Sequence, residues 1–198
     1  QDPVRIAGDT HPGPLAKNVV RALATRGQLT TRGLGANALR VAIRACEAAG
    51  NDRALRGHAL VGSQLVMLPR WCRVPAASAS AQEQTELHML FRMAPVGAGI
   101  TASPDSASPL RVRKDSNVGQ VAGAISSRVL RDGEAELAAC GDSAVAAAVN
   151  AAMRAEAYLA AGPQPRGALV RLALLPREVR EPLDDGRCIG VTRIRCVP

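Results

Sequence analysis

Apolar residues recur at helical spacing in two stretches near the start of the chain. Leu15, Val19, Ala22 and Leu23 form a first stripe that fades before Gly27, and a second stripe runs through residues 36–49. Residues three and four apart share one face of a helix, so each stretch predicts a helix with a single buried face. The glycine after the first stripe is a typical helix stop.

Short apolar runs alternate with these two predicted helices. They predict strands at residues 3–7 and 29–32, a third within 58–68 that ends at Pro69, and a fourth at 86–93. Arg70, Trp71 and Arg73 are then expected at the mouth of a hairpin. The order β-α-β-α-β-β is typical of a two-layer α/β sandwich.

The same order returns 106 positions later, because residues 110–156 align without a gap on residues 4–50. Identical pairs include Arg5 with Arg111, Asp9 with Asp115, Gly27 with Gly133 and Gly35 with Gly141. After one inserted residue the match resumes at 68–70 over 175–177. A period near 100 residues is too long for a solenoid unit and predicts two copies of a small domain. Related copies commonly pack as a homodimer does, so we expect an intrachain pseudo-dimer.

The repeat sets the domain boundaries. Copy one is predicted at residues 1–93, a linker rich in Gly, Ser, Ala and Pro at 94–109, and copy two at 110–198. In copy two we expect helices at 121–131 and 143–159 and strands at 110–113, 136–139, 168–175 and 189–196. Each copy is near the small end for independent folding, so each is expected to depend on the other.

The charge of the chain favours an anionic partner. Its 198 residues carry 25 Lys and Arg, 23 of them Arg, against 17 Asp and Glu, for a net charge of +8. Residues 1–100 account for +6 of this charge and residues 101–198 for +2. Guanidinium groups bind phosphate in a planar, bidentate way, which indicates nucleic acid. A coding bias towards Ala and Arg would give the same composition. No apolar run is long enough to span a bilayer, so membrane insertion is not expected.

The five cysteines are scattered at positions 46, 72, 140, 188 and 196, with no C-x-x-C spacing. Such an odd set argues against a disulfide framework or a zinc site. It favours a reducing intracellular compartment, of which an organelle such as the mitochondrion is one candidate.

Catalytic motifs are lacking in the sequence. His11, His58 and His88 are scattered, and no nucleophile motif, carboxylate pair or metal-ligand spacing accompanies them. Gly33-x-Gly35-x-x-Ala38 fits a dinucleotide fingerprint, but copy two has Ala139 in place of the first glycine. We interpret this motif as a tight turn that permits close helix–strand packing. No enzyme activity, cofactor, metal or small-molecule substrate is expected.

The candidate nucleic-acid-binding residues are basic side chains near predicted element ends, together with the single Trp. They are Lys17, Arg21, Arg40, Arg44, Arg70, Trp71, Arg73, Arg111, Arg113 and Lys114. An aromatic ring flanked by cations can stack a base while the cations hold its phosphates. Trp71 could equally fill a gap in the sheet or in the seam between the copies.

Several runs in both copies resemble the stage V sporulation protein S family. In copy one these are residues 33–39 and Leu68-Pro69-Arg70-Trp71, and in copy two Ser116-Asn117, residues 121–125, Gly133, Gly141 and Tyr158-Leu159-Ala160. The resemblance implies an Alba-like fold and nucleic-acid binding through basic residues after the first strand and on the long hairpin, with no enzyme activity. Two features depart from the family: its members have one copy, and Glu178 occupies the Trp71 position in copy two.

Together these observations predict a non-enzymatic nucleic-acid-binding protein, with RNA favoured over DNA as its partner. It would be a subunit of a larger ribonucleoprotein with protein neighbours, such as an organellar ribosome. The alternative is a structural protein that contacts only proteins within an assembly. Copy one is expected to be the main polyanion binder, because copy two places Glu178, Glu181, Asp184 and Asp185 on the equivalent hairpin.

Overall fold

Four helices form one layer of the structure, a computed structural model that describes residues 2–7, 9–52, 55, 63–74, 84–95, 108–161, 171–183 and 185–198. In that part of the chain the helices are α1 (Pro12–Arg26), α2 (Gly35–Gly50), α3 (Val118–Asp132) and α4 (Asp142–Ala161). The first and third both end at a glycine in the left-handed conformation, Gly27 with φ 74° and Gly133 with φ 81°. The predicted helices, and the predicted end of the first one at Gly27, are therefore confirmed.

Eight strands form the second layer as a single sheet within the described residues. They are β1 (Val4–Ile6), β2 (Gln28–Gly33), β3 (Ser63–Val74), β4 (Gln84–Pro95), β5 (Leu110–Val112), β6 (Ala135–Ala139), β7 (Ala173–Pro182) and β8 (Cys188–Val197). Their order is β1-β2-β4-β3-β7-β8-β6-β5. Only β1–β2 and β5–β6 are parallel pairs, and the other neighbours are antiparallel. The chain thus has the predicted mixed α/β architecture, with all helices on one face.

The seam is the region where the first half (residues 1–95) meets the second half (residues 108–198). In the sheet, β3 pairs with β7 through Met67 and Leu174, and both side chains are fully buried. In the helix layer, α2 packs beside α4 and also contacts β7. One hydrophobic core therefore runs from β1 to β5 without a break at the seam.

The core is built from many small side chains and a few large ones. Alanines such as Ala42, Ala45, Ala148 and Ala151 are fully buried along α2 and α4, which lets these helices approach the sheet closely. The largest fully buried side chain in the first half is Phe91 on β4. A chain with one Phe, one Trp and one Tyr therefore depends on each large core residue more than usual.

Two predicted strands differ from those observed. The third was expected to end at Pro69, but β3 continues through Pro69 and Trp71 to Val74 and pairs with β4 along its whole length. Beyond Met67 it pairs on one side only, and an edge strand tolerates a proline because the missing N–H need not serve the ladder. Likewise β7 runs past the expected end at residue 175 to Pro182. Residues 58–62 and 168–170 of the predicted strands lie outside the described residues.

The fourth strand also extends past its expected end at residue 93, because Ala94 and Pro95 still belong to β4. Most of the predicted linker, residues 96–107, lies outside the described part of the chain. At the other end, the described chain resumes at Ser108, and β5 starts at Leu110 as expected.

Gly33 ends β2 where the strand approaches α2 most closely. A Cβ atom added at this position would lie 2.6 Å from the Ala38 Cβ and 3.3 Å from the Ile6 carbonyl oxygen. Gly35, two residues on, turns the chain with φ +75°. These contacts agree with the interpretation of the Gly33-x-Gly35-x-x-Ala38 motif as a turn for close packing.

We expect Gly33→Ala to lower the free energy of unfolding by about 1–3 kcal/mol, because the added methyl group overpacks the contact with Ala38. Chemical denaturation measures this change. Gly123→Ala is the matched control, since nothing lies within 4 Å of the Cβ position of this helical glycine. There the added methyl should be neutral or stabilising by up to about 1 kcal/mol. An unchanged stability for Gly33→Ala would contradict the close packing.

Candidate nucleic-acid interface

Seven of the predicted binding cations are exposed, and none of them forms an ion pair with the acidic residues that the structure describes. Two lie on the outer face of α1, two on β3, one on β5 and two in the turn between β5 and α3. They are Lys17, Arg21, Arg70, Arg73, Arg111, Arg113 and Lys114. The structure therefore leaves these charges accessible to an external anion.

Arg40 and Arg44 are engaged within the protein instead. The Arg40 Nε lies 3.2 Å from the Asp142 Oδ2, and the Arg44 Nε donates a hydrogen bond of 2.9 Å to the Glu178 Oε1. The backbone N–H of Glu178 donates in turn to the Glu47 Oε1 at 2.8 Å. These contacts join α2 to the second half, so the two arginines hold the seam together.

Arg70, Trp71 and Arg73 lie on one strand but do not form a single cluster. Successive side chains of a strand point to opposite faces. Trp71 is paired in register with Leu87, which is buried in the core, so Trp71 and Arg73 point to the helix side. Arg70 pairs with His88 and points to the open face, where its Nε donates to the Cys72 Sγ at 3.1 Å. The Arg70 residue still contributes to the rim of the groove beside Trp71.

A groove of about 490 Å³ opens at the seam between β3 and α4. It is lined by Pro69, Arg70, Trp71, Asn150, Met153, Arg154 and Glu156. Trp71 forms one wall, and this residue is 49% exposed although Trp is highly buried on average. Trp71 thus lies at the seam, as one interpretation held, yet leaves half of its surface to solvent.

The two ends of the seam are equivalent in the repeat but differ in chemistry. The repeat aligns Trp71 with Glu178, Asn150 with Arg44 and Met153 with Glu47. At one end of the seam, Glu178 is hydrogen-bonded to both Arg44 and Glu47. At the other end, Trp71, Asn150 and Met153 line the open groove. One end of the seam is therefore closed by charged partners, whereas the other is open and carries an aromatic ring.

Arg154 and Tyr158 extend the groove along α4. The Arg154 guanidinium lies 5.9 Å from the centre of the Tyr158 ring, in a cation–π contact, and the Tyr158 side chain is 40% exposed. Both side chains lie near Gly119, at the start of α3. The Arg154 side chain therefore reaches from the groove to the start of α3.

Sequence reasoning missed Arg154 and Tyr158 as site residues. A usable pattern was present, because an Arg four positions before the only Tyr of the chain places both on one face of a helix. A comparison of the two repeats does not reveal this pattern, because the positions equivalent to Arg154 and Tyr158 in the first half are Ala48 and Asp52.

Glu156 is the acidic residue of the groove, and its carboxylate has partners. The Leu172 N–H donates to the Glu156 Oε1 at 2.9 Å, and the Arg171 Nε lies 3.6 Å from the Oε2. Burial raises the pKa of the Glu156 carboxyl above its ordinary value of 4.5, although the Leu172 N–H and Arg171 both act to lower it. Desolvation of the charged form therefore outweighs these two contacts.

The raised pKa of Glu156 gives a pH dependence of definite sign. The folded chain binds this proton more tightly than the unfolded chain, so the contribution to stability is present below pH 4.5 and is lost as pH rises through the raised pKa. Glu156→Gln keeps an oxygen for the Leu172 N–H and removes the charge. We expect the stability of the variant relative to wild type to increase between pH about 4 and about 7. Urea denaturation at both values measures it, and a constant difference would contradict the assignment.

The open face of the sheet, opposite the helices, differs between the halves. In the second half Arg177 and Arg193 share Glu136, Arg193 also pairs with Glu181, and Arg195 pairs with Glu134. The hydrogen bond to Glu181 raises the pKa of the Arg193 guanidinium above its ordinary value. In the first half Glu86 faces both Arg32 and His88, while Arg5 and Arg92 are exposed without a described acidic partner. The second half thus neutralises this face more fully.

All five cysteines are free thiols. Burial raises the pKa of Cys46 and of Cys196 to about 12, so neither forms a thiolate near neutral pH. Cys140 and Cys188 are exposed. The described residues hold no group of three or more His, Cys, Asp or Glu side chains that could bind a metal ion. His11 is an exposed residue at the start of α1 and its side chain makes no capping hydrogen bond.

A comparison with known protein families matched part of the second half. Residues 108–164 match the family described as Stage V sporulation protein S (SpoVS), whose fold is Alba-like. The matched segment contains β5, α3, β6 and α4, and so includes the Arg113–Lys114 turn and the Arg154–Tyr158 pair. A search of curated proteins found no match to the chain. Within the described residues, no helix is long and apolar enough to cross a membrane.

Proposed function

We propose that this chain is a non-enzymatic nucleic-acid-binding protein, an RNA-contacting subunit of a larger ribonucleoprotein such as an organellar ribosome. The observation that carries the proposal is that seven of the predicted binding cations, from Lys17 to Lys114, are exposed and have no acidic partner among the described residues. Exposed cations of this kind attract the phosphate backbone of a nucleic acid, which releases its counterions when the protein binds.

Its scaffold would be two Alba-like copies packed as an intrachain pseudo-dimer. The sheet order supports this, because β1, β2, β4 and β3 are followed by β7, β8, β6 and β5, their counterparts in reverse order. A two-fold axis between β3 and β7 would generate such an order. The family match of residues 108–164 covers the second copy only, and the 106-residue repeat extends the argument to the first.

RNA is favoured because the surface offers phosphate contacts without a helix suited to reading bases in a groove. The exposed cations are spread over α1, β3, β5 and the turn after β5 rather than aligned along one helix. Contacts of this kind give affinity with little sequence choice, as a subunit of an assembly requires. The free thiols fit a reducing compartment, which we propose is intracellular, an organelle included.

A structural role in a protein assembly is the second candidate. It is favoured by the open sheet face of the second half, where Arg177, Arg193 and Arg195 are all paired with glutamates. Such a neutralised face suits a protein neighbour better than a polyanion. The two roles are compatible if the halves face different partners.

The decisive experiment is to ask whether the purified chain carries nucleic acid. We expect a raised 260/280 nm absorbance ratio that falls after ribonuclease but not after deoxyribonuclease. Crosslinking in place, followed by identification of the neighbours, then distinguishes RNA from protein contacts. Protein crosslinks alone, with an absorbance ratio that nuclease does not change, would favour the structural role and contradict RNA binding.

A further inference from the structure

The seam groove has the chemistry of a site for one unpaired nucleotide. We propose that it binds a single-stranded nucleic acid by stacking one base on Trp71 and placing the neighbouring phosphate on Arg154. The inference rests on the proposed function and names the form of nucleic acid that this site takes.

Trp71 offers the surface that a base requires. Half of its side chain is solvent-exposed in a groove of about 490 Å³, within the range of about 300–1,000 Å³ that is usual for ligand sites. Met153 on α4 provides an apolar side chain on the opposite wall, and Pro69, two residues before Trp71 on β3, also lines the groove. A flat base placed here would bury ring surface that otherwise remains in water.

Arg154 supplies the charge. Its side chain is exposed, lines the groove and has no acidic partner among the described residues. The Tyr158 ring lies 5.9 Å from this guanidinium, in a cation–π contact that favours this position of the charge. Glu156, the one acid of the groove, is already bonded to the Leu172 N–H and faces Arg171, so its charge is partly compensated. The groove therefore combines an aromatic wall with a positioned cation, the pairing that single-strand binders use.

The walls of the groove select an unpaired base. The site is formed by the side of a strand and the side of a helix, so a base must leave its own stack to reach Trp71. In a duplex each base is stacked above and below, and extruding it costs a few kcal/mol. A duplex can still contact the exposed cations through its phosphates, but it should leave Trp71 untouched.

The equivalent end of the seam lacks the aromatic wall of this groove. At the equivalent end of the seam Glu178 replaces the aromatic ring and bonds to Arg44, and its N–H bonds to Glu47. A carboxylate repels phosphate and presents no ring. We therefore expect one stacked base per chain, held jointly by β3 of the first half and α4 of the second.

Trp71 is the only Trp of the chain, so its fluorescence reports on the groove directly. The full-length protein is titrated with a single-stranded RNA, with a duplex of the same length and with a nucleoside monophosphate, all at one low salt concentration. We expect the single strand to quench Trp71 with one saturating site. Anisotropy of labelled strands should show that the duplex also binds, but without quenching.

Variants separate stacking from charge. Trp71→Leu should weaken single-strand binding by about tenfold and leave duplex binding unchanged, whereas Trp71→Phe should retain most of the affinity. Arg154→Gln should weaken single-strand binding as well. Arg180→Gln, which removes an exposed cation from β7 outside the groove, is the matched control and should weaken it least. Thermal unfolding of each variant shows whether the fold is kept.

The titration tests the stacked base and the proposed function separately. Equal binding of single strand and duplex with no quenching would overturn the stacked base while leaving the proposed function intact. Absence of binding to either nucleic acid would overturn both. Quenching by the monophosphate with the affinity of the single strand would show a free-nucleotide pocket and overturn the nucleic-acid assignment of the groove.

Discussion

Raising the salt concentration from about 50 to about 200 mM is expected to weaken binding of a mixed-sequence single-stranded RNA by about a hundredfold. The expectation takes about five of the seven exposed cations as phosphate contacts, each contributing about 0.7 to the slope of log affinity against log salt. Anisotropy titrations at several salt concentrations measure this slope. An affinity that does not change with salt would contradict phosphate recognition.

The slope also identifies which cations are used. Arg70→Ala with Arg73→Ala should lower it by about 0.7 per lost phosphate contact. The matched double change, Arg177→Ala with Arg180→Ala, should do less, because Arg177 already bonds to Glu136 and the β7–β8 hairpin carries several acids. Equal losses in the two double variants would show that the halves bind RNA as a symmetric pair.

Replacing Phe91 by Ala is expected to destabilise the whole chain by about 3–5 kcal/mol, the usual loss when a fully buried aromatic ring leaves a cavity. For a protein of this size, that lowers the melting temperature by about 10 °C. The loss should appear in one transition, since a single core runs through both halves and should unfold as a unit. The unfolding transitions recorded by Trp71 fluorescence and by far-ultraviolet circular dichroism on the same sample should therefore coincide.

Leu130→Ala is the control for Phe91→Ala. Leu130 lies on α3 and is 56% exposed, so its truncation should change stability by less than about 0.5 kcal/mol. If Phe91→Ala instead gave two separate transitions, with the second half melting at its original temperature, the halves would be independent folding units. The expectation that each half depends on the other would then be wrong.

Much of the fold was accessible from the sequence because its determinants are local. The apolar stripes through Leu15 and Ala42 repeat with the period of a helix, and Gly27 and Gly133 mark helix ends by their left-handed conformation. The misjudged ends of β3 and β7 have a common reason. A proline such as Pro69 usually interrupts a strand, but its effect depends on whether a neighbouring strand needs its N–H, and sequence spacing does not record that.

The candidate site was only partly accessible for a related reason. Exposure of Lys17, Arg113 and Lys114 followed from their positions on a helix face and in a turn, which sequence periodicity determines. The roles of Arg44 and Trp71 could not be predicted in this way, because their neighbours lie far away in the chain. Glu178 is 134 positions from Arg44, and Met153 is 82 positions from Trp71. Only the packing of α2 beside α4 and of β3 beside β7 brings these residues together. That packing pairs Arg44 with Glu178 inside the protein and leaves Trp71 in an open groove beside Arg154. The outcomes differ because the two ends of the seam carry different side chains.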